Sequence, residues 1–164
     1  MRYSSLGVAA ALALLALSTS LHGQRPDHQI DARSLQLLAS ARAAQAAGQL
    51  VVAADTLETA LAVDPRNRAA FVALGDVSLA QGLSGKAIRY YRGALALDPN
   101  DLAALSGQGE ALVAKGAIER ARQNLAKIRK LCVKGCAEAT QLAAAIARGT
   151  TAPVVAAQTA KAGK

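Results

Sequence analysis

An all-α fold, a solenoid of three antiparallel helix pairs closed by a C-terminal capping helix, is predicted by three regularities in the sequence. Turn residues recur every 34 positions, at Gly48, Gly82 and Gly116, and again at Asp64-Pro65 and Asp98-Pro99. Small apolar residues keep the same interval at Ala53, Ala87 and Ala121, each followed four residues on by Leu57, Tyr91 or Leu125. The flanking text agrees as well, Ala60-Leu61-Ala62-Val63 preceding the first Asp-Pro and Ala94-Leu95-Ala96-Leu97 the second. Self-similarity at one fixed period is the mark of stacked helical repeats, in which no unit can bury its apolar face alone.

Composition is compatible with such a stack. The 164 residues are 52% apolar and 18% charged, and only 2% are aromatic, so the core must be built from Ala, Leu, Val and Ile. Helices are predicted over 32–47, 50–63, 67–81, 84–97, 101–115, 117–131 and 136–148. Gly48, Gly82 and Gly116 mark the turn inside each pair, because glycine tolerates the left-handed conformation that ends a helix. The prolines at 65 and 99 follow the second helix of a pair and prevent its continuation. Asn67, Ser84, and Asn100 or Asp101 stand at helix starts, where a side-chain oxygen can accept from free backbone N–H groups. The alanines at 53, 87 and 121 permit close approach of the paired helices, and the larger residues four positions later fill the space beside them. Leu142, Ala145 and Ile146 give the last helix its apolar face.

These residues resemble the tetratricopeptide repeat. Over 68–101, Phe71-x2-Leu74-Gly75-x2-Ser78, then Ala87-x3-Tyr91, Ala94 and Pro99, follow that family's pattern, with Phe71 in place of the usual Trp and Ser78 in place of the usual Tyr. The repeat at 34–67 keeps Leu37, Ser40, Ala41, Ala53, Leu57, Ala60 and Pro65. The repeat at 102–135 keeps Leu105, Gly109, Ala121 and Leu125, but has Gln108 for Leu and Val133 for Pro. The resemblance implies a right-handed superhelix whose first helices line a concave groove for a peptide or partner helix. Carried over position by position, it places in the groove Leu35, Leu38, Arg42 and Gln45, then Ala69, Val72, Asp76 and Leu79, then Ala103, Ser106, Glu110 and Val113. Arg42, Asp76 and Glu110 are themselves 34 apart and would form a ladder across its floor. No aromatic or paired basic anchors occur among these positions, so the groove does not resemble the basic clamp some members use for chaperone tails.

Outside the repeats, residues 1–23 have the pattern of a secretory signal peptide: Arg2, an apolar run from Leu6 to Leu17, then small and polar residues up to Gly23. The run is shorter than the roughly 20 residues that span a bilayer. Export to the periplasm or outside is therefore expected, with cleavage after Ser20 or Gly23. Residues 24–33 read as a loose lead-in, 34–148 as the repeat domain with its cap at 136–148, and 149–164 as a flexible basic tail. In an oxidising compartment the close pair Cys132 and Cys136 suggests a disulfide across the turn near Gly135; free redox-active thiols and metal ligation are the alternatives.

Catalytic chemistry has little to draw on. The two histidines, His22 and His28, fall in or beside the leader and in the lead-in, so no Ser–His or Cys–His pair can be placed on the repeats. No glycine-rich phosphate loop is present, and no cofactor or metal is expected. The net charge of +8 is uneven: residues 115–164 carry ten Lys/Arg and two acids, whereas residues 1–114 balance at nine of each. On the sixth helix, Arg120, Lys127, Lys130 and Lys134 lie mostly opposite the apolar face of Ile118, Ala121, Leu125 and Ile128. The expected function is a non-enzymatic scaffold of the cell envelope whose partner is a protein or peptide. The alternatives are a protein that uses its basic third on an anionic lipid or polymer surface, and a thiol–disulfide protein. Nucleic acid is not expected, since no aromatics are interleaved with the basic residues for base stacking.

Overall fold

The computed structural model describes residues 29–151; the predicted leader, the first part of the lead-in and the tail beyond 151 lie outside them. Seven helices follow one another: α1 Ala32–Ala46, α2 Leu50–Val63, α3 Arg68–Ala80, α4 Ser84–Leu97, α5 Leu102–Ala114, α6 Ile118–Leu131 and α7 Ala137–Thr151. They form three antiparallel pairs, α1/α2, α3/α4 and α5/α6, with α7 packed on the last pair.

Two kinds of helix start alternate. The first helix of each pair is capped by a side chain: Asp31 accepts from Arg33 N–H at 2.7 Å, Asn67 from Ala70 N–H at 3.1 Å and Asp101 from Ala104 N–H at 2.8 Å. The second helices have no side-chain cap, and Ser84, expected to cap α4, is instead its first helical residue. Their entry is set by the preceding glycine. Gly48, Gly82 and Gly116 adopt φ of 75°, 74° and 73°, and the residue after each donates its N–H back to Ala44, Ser78 and Leu112 respectively. This pair of features satisfies the orphan carbonyls of the helix just ended and reverses the chain in two residues.

Burial follows the repeat. Ala53, Leu57 and Ala60 on α2, Ala87, Tyr91 and Ala94 on α4, and Ala121, Leu125 and Ile128 on α6 are all buried, at spacings that put each trio on one helix face. Three linked clusters result, around α1–α3, around Tyr91 between α3, α4 and α5, and around α5–α7. Polar side chains tie one repeat to the next. Asn67 Nδ2 donates to Ser34 Oγ at 2.8 Å, and Ser34 Oγ donates to Ala60 O at 2.8 Å. Asp64 accepts from Asp31 N–H at 2.8 Å and from Arg66 N–H at 2.9 Å, while Arg68 pairs with Asp101.

Helix α1 begins at Ala32, where the predicted helix starts, so residues 32 and 33 of the expected lead-in are helical, and Asp31 is held by Asp64. The C-terminal end departs from expectation. Helix α7 runs to Thr151 rather than stopping at 148. A Cβ at Gly149 would meet Val113 and Ile118, so the glycine lets the end of α7 pack against α5 and α6.

Candidate functional site

The contacts between helices decide which side is concave. The backbones of the first helices approach one another, α1 on α3, α3 on α5 and α5 on α7, whereas among the described residues those of α2, α4 and α6 stay apart and are bridged only by longer side chains, as where Tyr90 Oη donates to Glu58 Oε1 at 3.1 Å. The face built by the first helices is therefore the inner one. A cavity of about 510 Å³ opens there, between α3, α5 and α7.

Six of the twelve residues expected in the groove line this cavity: Val72, Asp76 and Leu79 from α3, and Ala103, Ser106 and Glu110 from α5. The four from α1 lie beyond it. Leu35 is 47% exposed, Arg42 is exposed and Gln45 half-buried, while Leu38 is 5% exposed and belongs to the core. Leu38 turns inward because it stands on one helical face with buried Ser34 and Ala41. Ala69 packs on the first core cluster, and Val113 is covered by Gly149 of α7.

Tyr91 and the cap complete the site, and sequence reasoning assigned neither to it. The Tyr91 ring comes from α4, on the far side of the repeat, and is 1% exposed. It passes between α3 and α5, where Gly75 and Gly107 leave room: a Cβ at Gly75 would lie 2.6 Å from the ring, and one at Gly107 would clash with the ring and hydroxyl. The hydroxyl emerges at the groove floor and donates to Asp76 Oδ1 at 2.6 Å. From α7, Glu138 and Gln141 line the cavity. The Cys132–Cys136 turn carries one residue more than the repeat spacing, so these two stand 35 residues after Ala103 and Ser106 and take the corresponding places. Ser106 Oγ donates to Glu138 O at 3.2 Å, which ties the start of α7 to the middle of α5.

The electrostatics of the cavity differ from those of the chain. Asp76, Glu110 and Glu138 line it, and no Lys or Arg does. Burial by the groove walls pushes the Asp76 carboxyl above its usual range even though the residue is open to solvent on one side; the Tyr91 hydrogen bond and the charge of Arg42 oppose the shift. Burial raises Glu110 too, the charge of Asp76 adding to it and Gln141, Arg148 and Ser106 opposing it. Arg42, Asp76 and Glu110 thus act on one another in sequence along the concave side. Among the described residues, Glu110 Oε1 is a buried side-chain acceptor with no hydrogen-bond partner. The Tyr91 hydroxyl is raised, by burial first and by Asp76 next, and stays protonated as a donor.

Two other expected sites are placed elsewhere. Cys132 and Cys136 form a disulfide with a Cα–Cα distance of 5.9 Å, stapling the end of α6 to the start of α7, with Gly135 at φ 82° in the turn. A second cavity of about 340 Å³ lies beside it, lined by Arg129, Gly135, Cys136 and residues of α7. Of the basic residues, Arg120, Lys127 and Lys130 are exposed along α6, and Lys127 Nζ donates to Pro99 O at 2.6 Å. Lys134 is exposed in the cystine turn, past the end of the helix whose face it was expected to share. No group of three His, Cys, Asp or Glu among the described residues could hold a metal ion.

Sequence and structure comparisons bear on this fold. The tetratricopeptide repeat family matches residues 38–101 and 79–131. Among solved structures, the chain is similar to the first tetratricopeptide domain of Spaghetti (RPAP3) bound to the HSP90 peptide SRMEEVD, with 20% identity over 72% of this chain and 93% of that one and a TM-score of 0.66. It is similar to the Sgt2 tetratricopeptide domain of Aspergillus fumigatus, with 22% identity over 73% and 78% of the two chains and a TM-score of 0.66. The second such domain of human RPAP3, in complex with the HSP70 peptide SGPTIEEVD, has 15% identity over 72% and 95% and a TM-score of 0.65. No curated protein matches the chain.

Proposed function

Because the chain belongs to the tetratricopeptide repeat family, we propose that it is a non-enzymatic scaffold that holds a peptide or partner helix on the concave face of α1, α3, α5 and α7. The observation that carries this reading is the cavity between α3, α5 and α7, which combines an apolar wall of Val72, Leu79, Ala80 and Ala103 with a few polar groups at its floor. Such a lining suits a polypeptide, whose affinity comes from apolar contact and whose register comes from sparse polar contacts. The two RPAP3 domains, each solved with a peptide bound, support the same reading for this fold. The leader-like pattern at residues 1–23 extends the proposal to an exported protein whose partner resides in the cell envelope.

The test is affinity capture from envelope extract by the native chain beside an Asp76→Arg, Leu79→Arg double variant, with bound proteins identified by mass spectrometry. A protein retained by the native chain and lost by an equally helical variant supports the reading. Identical retention by both moves the contact off the groove. The exposed Arg120, Lys130 and Lys134 support a second reading, docking on an anionic envelope surface. It requires binding to anionic vesicles that weakens as salt rises.

A further inference from the structure

The charge of the groove runs against the charge of the molecule. The chain carries +8, yet its concave cavity is lined by three carboxylates, Asp76, Glu110 and Glu138, and by no cation. Resting on the scaffold reading above, we propose that the segment bound in this cavity is cationic, presenting a Lys or Arg side chain between α3, α5 and α7, and that the cavity rejects acidic tails.

Four features support a cationic occupant over a neutral or acidic one. The first is charge complementarity, since an acidic peptide would bring like charge against three carboxylates inside one cavity, an arrangement that suppresses binding. The second is the acceptor inventory. Gln141 and Ser106 reach the half-buried Glu110 carboxyl, but among the described residues its Oε1 has no hydrogen-bond partner, and an ammonium or guanidinium could donate to it. The third is the apolar wall. Val72, Leu79 and Ala103 can cover the methylene stem of Lys or Arg while the head reaches the carboxylates, as long basic side chains do elsewhere. The fourth is orientation: the buried Tyr91 donates to Asp76, and Ser106 holds the start of α7 at Glu138, so two of the three carboxylate-bearing residues are tied to the framework before any ligand arrives. Burial raises Asp76 and Glu110 in the free groove, and the charges of Arg42 and Arg148 offset that rise only in part. Arg42 and Arg148 act on these carboxyls from outside the cavity lining and leave its interior acidic.

The experiment is a fluorescence-anisotropy titration of the full chain with three labelled peptides of equal length, AAKAAKAA, AAQAAQAA and AAEAAEAA. The lysine peptide is expected to bind at least about tenfold more tightly than the glutamine peptide, the glutamate peptide most weakly, with the lysine preference shrinking as salt rises. A Glu110→Gln, Glu138→Gln variant, which keeps side-chain shape, is expected to lose that preference while retaining the native circular-dichroism spectrum. Equal affinity for all three peptides, or tightest binding of the glutamate peptide, overturns the charge inference and leaves the groove reading standing. Failure of all three to bind at millimolar concentration removes both.

Discussion

Tyr91 donates its hydroxyl to Asp76 Oδ1 at 2.6 Å from a ring that is 1% exposed, so a residue of the outer helix α4 reaches through the repeat to fix a carboxylate on the inner face. The path exists because Gly75 on α3 and Gly107 on α5 leave no side chain where the ring passes. Stability and groove geometry are thereby joined in one side chain. Adding a methyl group at Gly107 forces the ring or α5 to move, and overpacking of this kind costs about 1–3 kcal/mol. Gly107→Ala is therefore expected to lower stability by that amount in urea denaturation. Combined with Tyr91→Leu, which removes the obstructed ring, it should cost less than the sum of the two single changes. Strict additivity would show that the methyl group does not meet Tyr91.

Asn67 joins two repeats through one side chain. It caps α3 with its oxygen and donates its amide to Ser34, all within a site where both residues are fully buried. Asn67→Ala removes the cap and leaves the Ser34 hydroxyl short of a donor. Loss of a cap costs about 1 kcal/mol and an orphaned buried group about as much again. A loss near 2 kcal/mol is expected by denaturant titration, with Asn67→Asp recovering part of it through the cap alone. A cost below about 0.5 kcal/mol would mean that the network is not coupled to folding.

The Cys132–Cys136 bond closes a loop of only five residues. The chain-entropy account assigns about 2 kcal/mol to so short a loop. Reduction, or the Cys132→Ser, Cys136→Ser variant, is expected to lower the melting temperature while helices α1–α5 keep their ellipticity, because the cystine lies at the last junction of a stack whose units contact only their neighbours. If loss of the bond instead unfolds the whole chain at room temperature, the cap is required by every repeat.

Acid dependence follows from the raised carboxyls. Burial lifts Asp76 above 3.8 and Glu110 above 4.5, so the folded chain holds these protons more tightly than the unfolded chain. Their contribution to stability is therefore present at acid pH and is lost as pH rises from the unfolded values through the folded ones. Above that window each ionised carboxylate bears a burial cost. Glu110→Gln is expected to raise the melting temperature at pH 7 and to do so by less at pH 4, as read by thermal circular dichroism. A lower melting temperature at pH 7 would show that Glu110 is compensated in the free protein.

The repeat period makes most of the fold legible. The 34-residue spacing of the turn glycines sets the helix boundaries, because a left-handed glycine and its backward hydrogen bond act within a few residues. Ser84 does not cap α4 because the turn at Gly82 already starts that helix one residue earlier. The groove is legible only where repeats are regular. Val72, Asp76, Leu79, Ala103, Ser106 and Glu110 meet at one cavity, whereas Leu38 is drawn into the core by its neighbours Ser34 and Ala41. Glu138 and Gln141 are hidden from the period because the cystine turn shifts α7 by one residue against it. Tyr91 reads in the sequence as a filler of space, since periodicity records which face a side chain takes and not how far its end travels. The pairing of Gly75 with Gly107 is the trace of its passage.

The central claim is that the face of α1, α3, α5 and α7 receives a polypeptide. Selection of a random-peptide display library on the native chain, in parallel with the Asp76→Arg, Leu79→Arg variant at matched helicity, tests it most directly. The expected result is a set of enriched peptides that bind the native chain, lose binding to the variant and are rich in Lys and Arg. Absence of enrichment, or peptides that bind both chains equally, would contradict it.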